Sequence, residues 1–131
     1  MEETLSQDSF YMGRKIENAI RAWFKRGAMH PLLIRGARRT GKTSAIEHVG
    51  KELAGEGFVK LDFQTDLENI ERIFDGPTDD LNRIASRIAE YKRLSLDPER
   101  TLLFFDEVQL SEKALNSLRF FSGSPWRVIA S

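Results

Sequence analysis

The run Gly36-Ala37-Arg38-Arg39-Thr40-Gly41-Lys42-Thr43 sets two glycines, a lysine and a hydroxyl at the spacing G-x-x-x-x-G-K-[ST]. That spacing suits the capture of a phosphate chain. The glycines let the backbone turn sharply and bring several N–H groups onto one anion. A helix following the loop aims its positive end at the same point. Lys42 is then placed to bridge a β- and a γ-phosphate, and the Thr43 hydroxyl to hold Mg²⁺. The candidate contacts to a nucleotide are Gly36, Ala37, Arg38, Arg39, Thr40, Gly41, Lys42, Thr43 and Ser44. The bland reading, a glycine turn with a chance lysine, is weakened by context. Pro31-Leu32-Leu33-Ile34-Arg35 reads as a short apolar strand entering the loop, and residues 44–53 as the helix leaving it.

A second group of reactive side chains lies at Asp106-Glu107, at the end of the apolar run Thr101-Leu102-Leu103-Phe104-Phe105. A continuous apolar run suits a strand buried on both faces of a parallel sheet. Its acidic tip falls at the carboxyl edge, where open α/β sheets bind ligands. Asp106 is placed to hold Mg²⁺, directly or through water. Glu107 is placed to orient and deprotonate a water aimed at the γ-phosphate. The candidate catalytic residues are therefore Lys42 and Glu107, and the candidate metal ligands Thr43 and Asp106. A second carboxylate beside a metal ligand points to hydrolysis rather than transfer to a bound acceptor.

The elements that must position these residues follow from periodicity. Residues 1–8 are polar and expected to be loose. From Phe10 to Lys25 the apolar positions Ile16, Ala19, Ile20, Trp23 and Phe24 recur with helical spacing. Gly55-Glu56-Gly57 is a break, and Phe58 to Phe63 alternates as a second strand. Thr65-Asp66 caps a short helix through Phe74, and Asp75-Gly76-Pro77 is a turn. Thr78-Asp79-Asp80 caps a helix to about Tyr91, with Leu81, Ile84, Ile88 and Tyr91 on one face. Ser111 to Phe121 is a helix with Ala114, Leu115, Leu118 and Phe121 inward, and Trp126 to Ala130 is a fourth strand. Strands alternating with helices imply parallel pairing through right-handed crossovers.

With 131 residues, the chain is long enough for one modest domain with a real core. Its formal net charge is zero, which weighs against nonspecific attraction to nucleic acid or acidic membranes. Arg21, Lys25, Arg26 and Arg35 are the one candidate basic patch. There is no cysteine, hence no disulfide framework. His30 and His48 lack ligand spacing. The N-terminus carries no apolar signal core, no apolar run is long enough to span a bilayer, and a cytoplasmic setting follows by default.

The arginine-bearing loop at 36–43, the run Phe104-Phe105-Asp106-Glu107-Val108-Gln109 with Ala114 to Arg119 after it, and the closing Val128-Ile129-Ala130-Ser131 together resemble one group of AAA-type P-loop ATPases. In that uncharacterised prokaryotic group such a domain precedes a C-terminal domain of unknown function. The resemblance runs from about Arg14 onward. It implies a three-layer P-loop NTPase fold, RecA-like or AAA-type, with a mostly parallel central sheet of about four strands and the final strand missing. That strand would flank the phosphate-loop strand, so an open sheet edge and self-association are expected unless the N-terminal helix covers it. The resemblance also implies ATP and Mg²⁺ as the bound species, and a polar sensor residue that Ser131 at best neighbours. No arginine finger is assignable, so affinity is expected to survive while turnover is slow; such an arginine contributes about 10³–10⁵ in rate in related switches. Two readings stay open for Arg38 and Arg39: toward phosphate or a partner's nucleotide, or toward solvent. Gln109 is equally a γ-phosphate neighbour or part of a plain turn. A module that holds nucleotide without hydrolysis, and orders a partner surface, is the alternative function.

Overall fold

The structure is a computed structural model that describes residues 2–36 and 41–131, with side chains from residue 12 onward. Among the described residues the chain forms α1 (Glu2–Lys25), β1 (Leu32–Leu33), α2 (Lys42–Ala54), β2 (Phe58–Asp62), α3 (Leu67–Ile73), α4 (Leu81–Lys92), β3 (Leu102–Asp106), α5 (Glu112–Phe121) and β4 (Arg127–Ala130). The strands lie in the order β1-β4-β3-β2, and every pairing is parallel. The sheet is therefore all-parallel and four-stranded, as the alternation of strand and helix implies.

Helices cover both faces. Ile16, Ile20 and Trp23 of α1 and Ala45, Ile46 and Val49 of α2 pack on Leu102, Phe104 and Ile129. Val59, Leu61, Leu103, Phe105, Val128 and Ala130 face the other way, onto Ile70, Ile84, Ile88, Ala114 and Phe121 of α3, α4 and α5. Period-two alternation along each strand sends neighbours to opposite cores, which is why β3 is buried at all five residues. Helix α1 runs beside α2 in the same direction: Glu17 meets His48 and Arg21 meets Glu52.

Local chemistry fixes the joints. Gly57 is obligatory, because a Cβ there would lie 1.9 Å from the Arg100 carbonyl oxygen; this close approach seats β2 beside the entry to β3. Asp80 caps α4 by accepting from the Arg83 N–H at 3.2 Å, and Ser111 caps α5 by accepting from the Ala114 N–H at 3.2 Å.

Three local expectations are corrected. Helix α1 begins at Glu2 rather than Phe10; residues 2–9 contain no glycine or proline, so nothing in the polar segment stops the helix from extending. Strand β1 has two residues instead of five. It pairs only with β4, through Leu32↔Ile129 and Leu33↔Ala130, and Pro31 has no N–H to lengthen the ladder. Leu115 is 46 % exposed, and the inward place goes to Ser117, fully buried with its hydroxyl donating to the Ala114 carbonyl at 2.6 Å.

At the sheet's β1 edge, no described strand pairs with the outer side of β1, and Leu33 is 52 % exposed. Among the described residues no helix is long and apolar enough to cross a membrane.

Candidate nucleotide-binding site

The loop motif leads directly into α2. Gly41 stands at the N-cap with φ 80°, a left-handed conformation that glycine adopts without strain. Among the described residues no side chain caps this helix start, and no acidic residue lies in its first turn. The first N–H groups of a helix have no partner inside it. Lys42, Thr43 and Ser44 stand in that first turn, at the positive end of the helix dipole. The Lys42 ammonium donates to the Gly36 carbonyl at 3.3 Å, so it spans the loop from exit to entry. Thr43 is partly buried, and Gly36 and Ser44 are exposed. The candidate residues Ala37, Arg38, Arg39 and Thr40 lie outside the described residues.

The acidic tip sits at the same edge of the sheet. Because all pairings are parallel, the carboxyl ends of β1, β4 and β3 lie side by side. The Ile34 N–H donates to the Ala130 carbonyl at 2.8 Å, and the Ser131 N–H to the Phe105 carbonyl at 3.0 Å, carrying the ladder toward the loop. Asp106 is buried and Glu107 half-buried. The Ser131 hydroxyl donates to Asp106 Oδ1 at 2.9 Å. Glu107 has φ 62°, a left-handed backbone in a residue with a Cβ, which costs roughly 1–2 kcal/mol and turns its side chain out of the strand. Gln109 follows in a 3₁₀ turn over Val108–Leu110 and donates from Nε2 to Glu107 Oε2.

One charged group here is not evident from the sequence motifs. Asp62 is the cross-strand partner of Asp106, and Lys60 of Phe104. Alternation places Lys60 and Asp62 on the same face as Asp106, under α2. The Lys60 ammonium donates to Glu47 Oε1 of α2 at 2.8 Å and stands 3.7 Å from Asp106 Oδ2. Burial alone would push the Lys60 ammonium down; its hydrogen bond to Glu47 and the charges of Glu47, Asp106 and Asp62 outweigh that, and its pKa is raised. Burial raises the Asp106 carboxyl, Ser131 and Lys60 oppose the rise, and Asp62 and Glu107 add to it. A period-two reading sends Lys60 outward to solvent because Val59 and Leu61 point inward. The signal that could have found it is Glu47, one helical turn after Thr43, on the helix that must cover that face.

The donors fit a hydrated divalent cation. Among the described residues no group of three or more acidic or histidine side chains forms a closed metal cage. Mg²⁺ commonly takes one or two protein ligands and completes its shell with water and substrate phosphate. A hydroxyl at Thr43 and a carboxylate at Asp106 match that pattern.

A family model described as an AAA domain matches residues 28–131. The chain belongs to the AAA domain family. No curated protein and no solved structure matches it. The match begins at Ala28 and spans both the loop and the acidic tip, so α1 precedes the matched part of this AAA domain. Its family and its open helix start both point to nucleotide binding. Of the candidate basic patch, Arg21 is committed elsewhere: it pairs with Glu52 at 2.8 Å and Glu17 at 3.1 Å.

Proposed function

We propose that this AAA domain binds Mg·ATP at the carboxyl edge of the sheet and hydrolyses it. The carrying observation is that the start of α2, with Gly41 left-handed before it and no side-chain cap among the described residues, lies at the same edge of the sheet as Asp106 and Glu107. In this reading backbone N–H groups of the loop over 36–44 hold the phosphates, and Lys42 leaves the Gly36 carbonyl to bridge the β- and γ-oxygens. Thr43 and Asp106 hold the cation. When bound, Mg²⁺ neutralises charge developing on the phosphates. Glu107, turned out of the strand by its backbone, orients a water and accepts its proton. Gln109 donates to the Glu107 carboxylate and fixes its orientation. Ser131 holds Asp106 Oδ1 and leaves its other oxygen toward the cation.

The test is titration with labelled ATP, ADP and GTP, with and without Mg²⁺, followed by phosphate release. Binding that tightens with Mg²⁺, and phosphate release that disappears in Glu107→Gln, supports the reading. Retained turnover in Glu107→Gln removes Glu107 from the mechanism. The second reading, a nucleotide-holding module without turnover, is favoured by equal ADP and ATP affinity with no phosphate released. The open outer side of β1 and the exposed Leu33 support self-association through that edge. Light scattering showing a monomer at all concentrations contradicts that part.

A further inference from the structure

We propose that Glu47 is a positioning residue for the cation site: it holds the Lys60 ammonium beside Asp106 yet off its Oδ2, and so keeps that oxygen open to a divalent cation. The inference rests on the Mg·ATP reading above and concerns residues that neither motif includes.

The geometry is a competition of two carboxylates for one ammonium. Lys60 Nζ lies 2.8 Å from Glu47 Oε1, within hydrogen-bonding distance, and 3.7 Å from Asp106 Oδ2, outside it. Asp106 Oδ1 already accepts from Ser131. Among the described residues no donor reaches Oδ2 within hydrogen-bonding distance. The three groups come from three elements, Glu47 from α2, Lys60 from β2 and Asp106 from β3. Glu47 follows Thr43 by one turn on the same helix. The helix that supplies one proposed cation ligand therefore also supplies the anion that draws Lys60 away from the other. All three side chains are largely shielded, with exposures of 35, 27 and 9 %, so their charges are less screened than on an open surface.

Removing either member of the Glu47–Lys60 pair has opposite consequences. Without the Glu47 charge, the nearest anionic acceptor for Lys60 becomes Asp106 Oδ2. A shift of about 1 Å by a flexible side chain then makes a charge-assisted hydrogen bond. The ammonium would then block the oxygen and repel the incoming cation. Without the ammonium, Glu47 and Asp106 both face the cation uncompensated, and its attraction grows. Asp62, on the same face, also loses the Lys60 charge in this case and adds to that attraction. A mere packing strut would respond in one direction to both changes.

The experiment compares the wild-type chain, Glu47→Gln and Lys60→Met. A fluorescent ATP analogue is titrated in MgCl₂ and in EDTA, and the ratio of the two affinities is the readout; thermal melting confirms that each variant is folded. The ratio is expected to fall roughly threefold to tenfold in Glu47→Gln and to rise by a similar factor in Lys60→Met. Should Lys60→Met fail to fold, Lys60→Gln keeps a polar partner for Glu47 and carries the same expected sign. A ratio that moves the same way in both variants, or in neither, overturns the proposal while the Mg·ATP reading stands on the wild-type ratio. A wild type that binds no analogue, or binds it equally in EDTA, contradicts the Mg·ATP reading and this inference with it.

Discussion

The two faces of the sheet are built to different rules. Under α3, α4 and α5 the core centres on an aromatic block: Phe63, Phe74, Phe105 and Phe121 are fully buried, with Phe105 edge-on to the other three at centroid distances of 5.6–6.0 Å. Each such pair contributes about 0.5–1.5 kcal/mol beyond its buried area. Under α1 and α2 the core begins the same way, with Phe104 between Leu102 and Ile129, but at the carboxyl edge it takes in Glu47, Lys60, Asp62 and Asp106. Adjacent residues of one strand, Phe105 and Asp106, thus serve opposite purposes. Burying charges costs free energy unless they are paired, so the α2 face gives up stability that the phenylalanine face supplies.

That division can be broken from either side. The largest effect expected is on turnover: Glu107→Gln should lower phosphate release by roughly 10²–10⁴-fold while leaving nucleotide affinity and melting temperature nearly unchanged. Stopped phosphate release together with lost binding would instead make Glu107 a binding residue. Phe105→Ala should destabilise the fold by about 3–5 kcal/mol in urea unfolding. A loss under about 1 kcal/mol would mean that the aromatic block does not anchor the domain. Lys42→Ala should weaken ATP roughly tenfold to a hundredfold, the worth of one charge-assisted hydrogen bond to phosphate, with unfolding unaffected. A large drop in stability instead would make its bond to Gly36 structural. The smallest effect is expected at Leu115→Lys, within about 0.5 kcal/mol of wild type, because that side chain lies outside both cores; a marked loss by the same urea measurement would restore Leu115 to the core.

Much of this arrangement was legible in the sequence where one local signal controls the outcome. The helix after the loop, the apolar run ending at Asp106, the cap at Asp80, the helix from Ser111 to Phe121 and the alternation of Phe58 to Phe63 each found the element they implied. The resemblance to AAA-type ATPases is matched by the family found over residues 28–131. What escaped depends on neighbours that are distant in sequence. The length of β1 is set by having β4 on one side only. Leu115 and Ser117 lie near the margins of one helical face, and packing rather than periodicity chooses between them. Lys60 looks like a solvent residue until α2 is laid across its face, and only then does its place between Glu47 and Asp106 emerge. The roles of individual loop residues rest on spacing, and Ala37, Arg38, Arg39 and Thr40 lie outside the described residues.

The proposed site would hold a triphosphate in the loop before Lys42 with its cation against Asp106. The most direct test is to measure how much Mg²⁺ tightens ATP binding in wild type and in Asp106→Asn. Such a site requires a clear gain with Mg²⁺ in wild type and its loss in Asp106→Asn, with metal-free affinity retained. An undiminished gain in Asp106→Asn would contradict it.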